Sequence, residues 1–226
     1  MGSHDAIPYL FFGGILALMA VIVTASILYA KKRTRELNAV ALQIGFRFLA
    51  NHWSGPSLSS QHKTSLLQRT RGKFSNVMTS ESGGLQVGLF DYTYPMGKSS
   101  VTQTVATFSQ EMHLPPFALR PENVLDRIGD AMFHNDINFD SNPEFSQRYL
   151  LRSPDEANTR RLFTPSLLTY LEQFQTKWCI EGTGSTLIVY RGGRPVSPSD
   201  IPAFLEETSR IARTFFASDS LRKPGA

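Results

Sequence analysis

The chain has 226 residues, of which 41% are hydrophobic and 11% aromatic, with 23 Lys and Arg against 19 Asp and Glu. That length suits one membrane segment followed by one domain large enough to bury its own core. The net charge of +4 comes mainly from one short basic cluster. The composition therefore excludes the broad basic surface of a nucleic-acid-binding protein.

The longest apolar stretch covers residues 9–30 and contains no charged side chain. As an α-helix it would extend ~33 Å, enough to cross a hydrocarbon core of ~30 Å. A cleaved signal peptide would instead have an apolar core of ~7–15 residues with positive charge before it. Residues 1–8 contain neither Lys nor Arg. We therefore predict a retained membrane helix over residues 9–30, with residues 1–8 as an extracytoplasmic N-terminus.

A basic cluster follows the apolar stretch directly. It consists of Lys31, Lys32, Arg33 and Arg35, whereas the N-terminal flank carries only Asp5. The positive-inside rule places such a cluster in the cytoplasm, where it would also attract anionic lipid head groups. The sequence thus predicts a single-pass protein whose N-terminus is outside and whose remaining domain is cytoplasmic.

Small side chains recur along the predicted membrane helix at Gly13, Ala17, Ala20 and Thr24. Spacings of three and four residues place them on one face, against which another membrane helix could pack closely. Gly and Ala are also common in membrane helices that make no such contact. Both interpretations stay open at this stage.

Beyond the anchor, we predict a basic and amphipathic connector helix over residues 31–50, a cytoplasmic domain over residues 51–218 and a flexible tail over residues 219–226. Apolar side chains at helical spacing support the connector. Gly45 is a candidate stop for that helix. Residues 51–61 are rich in Ser, Gly and Pro, which is typical of a loop.

The first part of the domain has the pattern of a β-meander. Residues 74–80 and 85–94 have strand character and are joined through Gly83-Gly84, which indicates a hairpin. Residues 101–110, rich in Val and Thr, predict a third strand. Pro115-Pro116 is expected to break the pattern after it.

Later elements are predicted from their turn and capping residues. These are a helix opened by Pro121, a helix after a capping box at Ser153, a helix from Thr164-Pro165, a hairpin of residues 177–181 and 185–191 around Gly182-Thr183-Gly184, and a last helix capped by Ser197-Pro198. Together they predict an α+β domain with an antiparallel sheet of five or six strands and helices mainly on one face.

The best metal candidate is the D-x-N-x-D pattern of Asp136, Asn138 and Asp140, which resembles the start of a calcium loop. The sixth position of that motif should be Gly and is Ser141, and the twelfth should be Glu and is Gln147. We therefore interpret the segment as a half-buried strand with a polar outer face, and predict no bound metal.

Other chemical signals are weak. The five histidines are scattered without the spacing of helical metal ligands, and neither a nucleophile elbow nor a phosphate-binding glycine loop occurs. The single cysteine, Cys179, excludes an internal disulfide, and its apolar neighbours predict a buried, unreactive thiol. The sequence thus favours a protein without catalysis and without a cofactor.

Four segments resemble a group of uncharacterised bacterial membrane-anchored proteins: Leu89-Phe90-Asp91-Tyr92, Asp140-Ser141-Asn142-Pro143-Glu144-Phe145, Arg148-Tyr149-Leu150-Leu151 and Phe163-Thr164-Pro165. The resemblance covers residues 74–163 and none of the anchor. It implies a bacterial inner (cytoplasmic) membrane setting and brings no activity or functional residues with it.

The leading hypothesis is a non-catalytic accessory subunit of a larger inner-membrane complex, with respiratory or photosynthetic complexes as natural hosts. Its partners would be other membrane protein subunits and the lipid bilayer. An alternative is a membrane-tethered domain that binds a lipid or small molecule in a pocket lined by some of its sixteen Phe. A third is an enzyme, which would need perturbed carboxylates or histidines gathered in one cleft.

Overall fold

The computed structural model describes residues 6–50, 66–67, 72–122, 136–175 and 177–222. The predicted α+β class is confirmed. In chain order the elements are α1 (Ala6–Gln43), β1 (Arg47–Ala50), β2 (Lys73–Ser82), β3 (Leu85–Met96), β4 (Ser99–Pro121), α2 (Pro143–Arg148), β5 (Tyr149–Arg152), α3 (Glu156–Leu162), α4 (Pro165–Glu172), β6 (Cys179–Tyr190), a 3-10 turn (Pro198–Asp200) and α5 (Ile201–Arg222).

Helix α1 continues without a break from the apolar stretch into the domain. Its part Phe12–Gln43, with a mean hydropathy of 2.2 in its most apolar window, is the one helix of the described chain that is long and apolar enough to cross a membrane. None of the described residues of that window is buried. The C-terminal part is different, because Leu37 and Ala41 are buried against the sheet.

The connector helix is shorter than the predicted span of residues 31–50, since α1 ends at Gln43. Gly45 has a φ of 75° and donates its N–H to the carbonyl of Leu42, while Phe46 donates to Ala41. This bond pair is a Schellman motif, in which Gly adopts the left-handed conformation at no steric cost. The chain that follows forms the edge strand β1.

The sheet has six antiparallel strands in the order β1-β2-β3-β4-β5, and β6 also pairs with β4. The predicted hairpin is confirmed: β2 and β3 pair from Lys73↔Thr93 to Ser82↔Leu85, with Gly83 and Gly84 at positive φ in the turn. The third predicted strand is also present as the first half of β4.

Strand β4 is longer than expected, and the break predicted at Pro115-Pro116 is wrong. Strand β3 pairs with β4 only as far as Ser109, and β5 pairs with it from Ala118 onward. Pairing with β6 shifts register in the same stretch. The prolines therefore occupy a gap in the ladder, where a residue without an N–H donor is tolerated.

The second predicted hairpin is also wrong, because β6 is one strand whose two halves both pair with β4. Gly184 has a φ of 56°, which marks a bend in the strand. At Gly182, a Cβ would lie 2.2 Å from a ring carbon of Phe117. Gly184 is needed for the bend and Gly182 for the close contact with the Phe117 ring. Glycines of this kind within a strand give the same sequence pattern as a hairpin turn.

Helix termini follow the capping rules, with one change of residue. The capping box expected at Ser153 is wrong: α3 is capped by Asp155, whose side chain accepts the N–H of Asn158. Ser153 instead donates to the carbonyl of Pro116. Helix α4 is capped by Thr164 as predicted, and its Leu167, Leu168 and Leu171 are buried.

Helix α5 covers the same face of the sheet as α2 to α4. The 3-10 turn precedes it, and Ser197 makes no side-chain cap bond. Its predicted apolar stripe is present, with Ile201, Phe204, Ile211, Ala212 and Phe215 buried. The helix reaches Arg222, beyond the predicted start of the tail at residue 219.

The helix predicted from Pro121 and the loop over residues 51–61 lie outside the described residues.

The main core lies between these helices and the sheet, and phenylalanine rings fill it. Phe117 stacks on Phe215 with ring centroids 5.6 Å apart, and Phe163 meets both rings edge-on. A smaller cluster covers the opposite face of the sheet. Phe117, Phe163 and Phe215, which the sequence allowed as pocket-lining residues, thus pack against one another in the core.

Candidate functional site

Arg33 is the residue through which α1 joins the sheet. Its side chain is 10% exposed and pairs with Asp91 of β3, Nε to Oδ2 and Nη2 to Oδ1, both at 2.8 Å. Its Nη1 donates to the carbonyl of Val196 at 2.8 Å. Arg33, Asp91, Asn76, Thr104 and Val196 form what we call the junction network.

Asp91 has a full set of hydrogen bonds within this network. Besides Arg33, its carboxylate accepts from Asn76 Nδ2 and from Thr104 Oγ1, each at 2.8 Å. Thr104 Oγ1 in turn accepts the N–H of Val196 at 2.9 Å. A buried ion pair is tolerated when both charges are neutralised and hydrogen-bonded in this way. Such a pair defines one arrangement of its elements more than it adds net stability.

Asn76 reaches the network because β2 is irregular there. The register between β2 and β3 shifts between Ser75 and Met78, and Asn76 has a φ of 52°. Asn is one of the few residues with a side chain that adopts this left-handed conformation readily. Thr34 of α1 donates to Asn76 Oδ1 at 2.8 Å, which adds a second contact between helix and sheet.

A cleft of about 890 Å³ opens beside the junction network. Residues 28–31 and 33–35 of α1 line one side, and Ser75, Thr93 and Thr102 line the sheet side. Thr93 and Thr102 are paired across β3 and β4, with their hydroxyl oxygens 2.8 Å apart. The cleft thus combines apolar, cationic and hydroxyl groups where the apolar helix segment meets the domain.

A second buried polar cluster lies on the opposite face of the sheet. Glu181 is fully buried, and its Oε1 accepts from Tyr190 Oη at 2.9 Å and lies 3.5 Å from Arg120 Nη2. Its Oε2 accepts the backbone N–H of Leu66 at 3.1 Å. Desolvation and the charge of Glu181 raise the pKa of Tyr190 well above its ordinary value. The cluster ties the segment at Leu66 to the sheet.

A groove of about 870 Å³ lies near the start of α5. Its lining includes Arg191, which stacks over the Trp178 ring at 4.3 Å and bonds to Glu207. Two further cations, Lys177 and Arg194, line the groove, and Asp200 is its other carboxylate. The groove therefore has a formal net charge of +1, with Glu207 already paired to Arg191.

The predicted membrane-helix residues Gly13, Ala17, Ala20 and Thr24 are all exposed. Thr24 Oγ1 donates to the carbonyl of Ala20 at 2.8 Å, which satisfies its hydroxyl within the helix. Their contact with another membrane helix stays a prediction.

The basic cluster is divided by the structure. Lys31, Lys32 and Arg35 are exposed, and Lys32 lies 3.7 Å from Glu36 one turn along the helix. Arg33, grouped with them in the sequence, is directed into the domain and neutralised by Asp91. Their topogenic role stays a prediction.

The calcium-like segment, residues 136–140, has contacts within the domain. The half-buried strand expected here is wrong, because only Asp136 forms an isolated β-bridge, with Arg152. Asp136 also bonds to the Arg152 side chain at 2.7 Å, and Ile137 is buried. Among the described residues, no group of three or more His, Cys, Asp or Glu could hold a metal ion.

The expected burial of Cys179 is confirmed, and desolvation raises the pKa of its thiol to about 12.

Sequence reasoning missed Asp91, Asn76 and Thr104. One signal was available: Leu85, Val87 and Leu89 define the apolar face of β3, and Asp91 is the next residue on that face. A carboxylate at such a position needs a cation as its partner. Nothing local indicates that the cation is Arg33, 58 residues away.

No family model matches the sequence, and no curated protein does. The fold and the anchored junction define an α+β protein with one candidate membrane helix. The structure is similar to the crystal structure of the mycobacterial trehalose monomycolate transport factor A, TtfA. The TM-score is 0.59 over 86% of this chain and 98% of that chain, at 15% sequence identity. At this identity the likeness is one of fold.

Proposed function

We propose that this protein is a non-catalytic accessory subunit of a larger inner-membrane assembly, anchored by α1 and bracing neighbouring subunits through its cytoplasmic domain. The observation that carries this proposal is the continuous helical connection between anchor and domain, with a buried ion pair where they meet. Helix α1 runs unbroken past Ala30, and Arg33 is held by Asp91 three residues later. A brace must hold its domain at a set angle, whereas a simple tether can end in a flexible linker.

The structural neighbour supports the choice of assembly. TtfA is described as a transport factor for trehalose monomycolate. Because the same fold occurs in a transport factor, a transport assembly has more support as the host than the respiratory or photosynthetic complexes considered from the sequence. The substrate named for TtfA is not carried over to this chain.

The lipid- or ligand-binding alternative has a different location from the one first considered. Phe117, Phe163 and Phe215 pack on one another between the sheet and the helices, so these three rings are part of the core. The cleft beside the junction network is instead lined by residues of α1 and of the sheet.

The size of the complexes solubilised from native membranes tests the proposal. Membranes from a strain that expresses the tagged full chain are solubilised in mild detergent and separated on a native gel. We expect the chain to migrate in a particle much larger than its own 25.2 kDa, and the other chains of that particle to copurify with it. Migration as a free single chain in several mild detergents would refute the proposal.

A matched variant sharpens the test. Asp91→Asn keeps the anchor and loosens the junction, whereas Asp140→Asn changes an exposed carboxylate far along the chain. If bracing depends on a rigid junction, the first variant should reduce the fraction of chain in the large particle and the second should not. If both variants enter the large particle to the same extent, assembly does not need the junction. That result would argue against the brace.

A further inference from the structure

The cleft beside the junction network lies at the depth of lipid head groups if residues 9–30 span the membrane. Arg33 is three residues beyond Ala30, so it lies ~4.5 Å farther along the helix axis. The head-group layer on each side of the hydrocarbon core is roughly 5–7 Å thick. The Arg33–Asp91 bond therefore holds the sheet side of the cleft directly against that layer.

The charge in the cleft is positive. Its lining contains one carboxylate, that of Asp91, and Arg33 already neutralises it. Lys31 and Arg35 are exposed in the same lining, and within the described residues neither has an acidic side chain at ion-pair distance. Two cations without a local counter-charge remain at the mouth of the cleft.

The remaining lining changes from polar to apolar along the helix. Thr93 and Thr102 present hydroxyl groups on the sheet side. Leu28 and Tyr29, at the end of the apolar stretch, line the part that faces the membrane. This order matches a molecule with an anionic polar end and apolar chains attached to it.

We propose that this cleft binds the head group of an anionic phospholipid. Lys31 and Arg35 pair with its phosphate, and the acyl chains lie along Leu28 and Tyr29. One hydroxyl of the Thr93–Thr102 pair donates to the other, and the remaining O–H donates a hydrogen bond to the head group. Charge-assisted bonds of this kind are the stronger ones available to a phosphate. The site goes beyond the accessory role and needs no partner protein.

Lipid titration of the full chain in mild detergent tests the site. Short-chain dioctanoyl phosphatidylglycerol should raise the melting temperature in a saturable way. Dioctanoyl phosphatidylcholine, which has no net charge, and inorganic phosphate, which has no acyl chains, should each have a much smaller effect at equal concentration. An equal response to phosphatidylcholine would refute charge recognition, and an equal response to phosphate alone would refute a lipid site.

Three variants locate the binding. Lys31→Gln with Arg35→Gln should weaken phosphatidylglycerol binding by roughly thirtyfold, since each cation near an anionic lipid contributes about a factor of five. Thr102→Tyr should block the cleft without changing charge. Lys32→Gln is the matched control, because Lys32 is exposed in the same cluster but outside the lining.

Equal weakening by the control would show diffuse attraction to the basic cluster and overturn the site. Unchanged binding by Thr102→Tyr would overturn its location. Melting without lipid checks that each variant folds. Failure of these tests leaves the native-gel result unaffected, so the lipid site and the accessory role can be judged separately.

Discussion

At the scale of single residues, the junction depends on one buried ion pair. Arg33 and Asp91 are 10% and 3% exposed, and neither charge could be left there alone. Desolvation of an unpaired ion costs several kcal/mol, and two hydrogen bonds from one guanidinium give the pair a defined geometry. The pair therefore orients α1 against β3 more than it adds net stability.

Loss of the Asp91 charge should be strongly destabilising. Asp91→Asn leaves Arg33 buried without a counter-charge, and breaking a buried pair in this way costs about 3–5 kcal/mol. Urea unfolding followed by the fluorescence of buried Trp178 measures the change. The control is Glu36→Gln, which removes an exposed i,i+4 pair with Lys32 and should change the free energy of unfolding by about 0.5 kcal/mol or less. Equal stability of the two variants would contradict the junction.

Asp136 and Asp140 should be indifferent to calcium. Asp136 is already bonded to Arg152, and the motif lacks both its Gly and its bidentate Glu. The double change to Asn should move the free energy of unfolding by about 0.5 kcal/mol, the range of surface substitutions. Calcium should not change the melting temperature of the unmodified chain. A rise of several degrees on adding calcium would show a site bound only in the folded state.

At the scale of elements, α1 has two halves with different surroundings. The apolar half is exposed on every described side, while Leu37 and Ala41 are buried in the main core. Because the helix is continuous, a shift of the membrane half relative to a partner would move the sheet with it.

The face of small residues on α1 should be required for assembly. Gly13→Leu or Ala17→Leu adds bulk to that face without lowering hydrophobicity, so insertion should persist while the fraction in the large particle falls. Leu18→Ile conserves side-chain volume and should have little effect. Native gels and membrane fractionation measure the two properties separately. If the bulky and the conservative changes leave the fraction in the large particle equal, the small residues make no helix contact. The domain alone would then bind the partner.

At the scale of the whole molecule, a sheet covered on one face by helices is joined to a candidate membrane helix through one polar junction. If residues 9–30 span the membrane, the short distance along α1 from Ala30 to Arg33 places the sheet close to the membrane surface. This position suits both a brace and a lipid contact.

The orientation of the whole chain should follow its basic cluster. A reporter fused after Ala226 is expected to behave as cytoplasmic, because Lys31, Lys32 and Arg35 remain exposed cations beside the membrane segment. Alkaline phosphatase and a fluorescent protein, active on opposite sides of the inner membrane, provide paired readouts. Activity of the phosphatase fusion would overturn the orientation and the cytoplasmic assignment of the domain.

The sequence by itself determined the elements whose signals are local. An uncharged stretch long enough to span a bilayer, a Gly-Gly hairpin and the stripe of α5 each depend on spacing within one segment. Gly45 likewise ended α1 through its own backbone freedom. These signals need no information about distant residues, so they could be interpreted correctly in isolation.

Tertiary structure decided the features that depend on strand neighbours and distant partners. Pro115-Pro116 and Gly182-Thr183-Gly184 predict interruptions, yet both lie within long strands because β4 and β6 are irregular at the same place. Arg33 belongs to a topogenic cluster in sequence, but Asp91, 58 residues away, directs it into the domain. The candidate functional site is the contact between α1 and three strands. Such contacts depend on packing between distant segments, which local sequence does not encode.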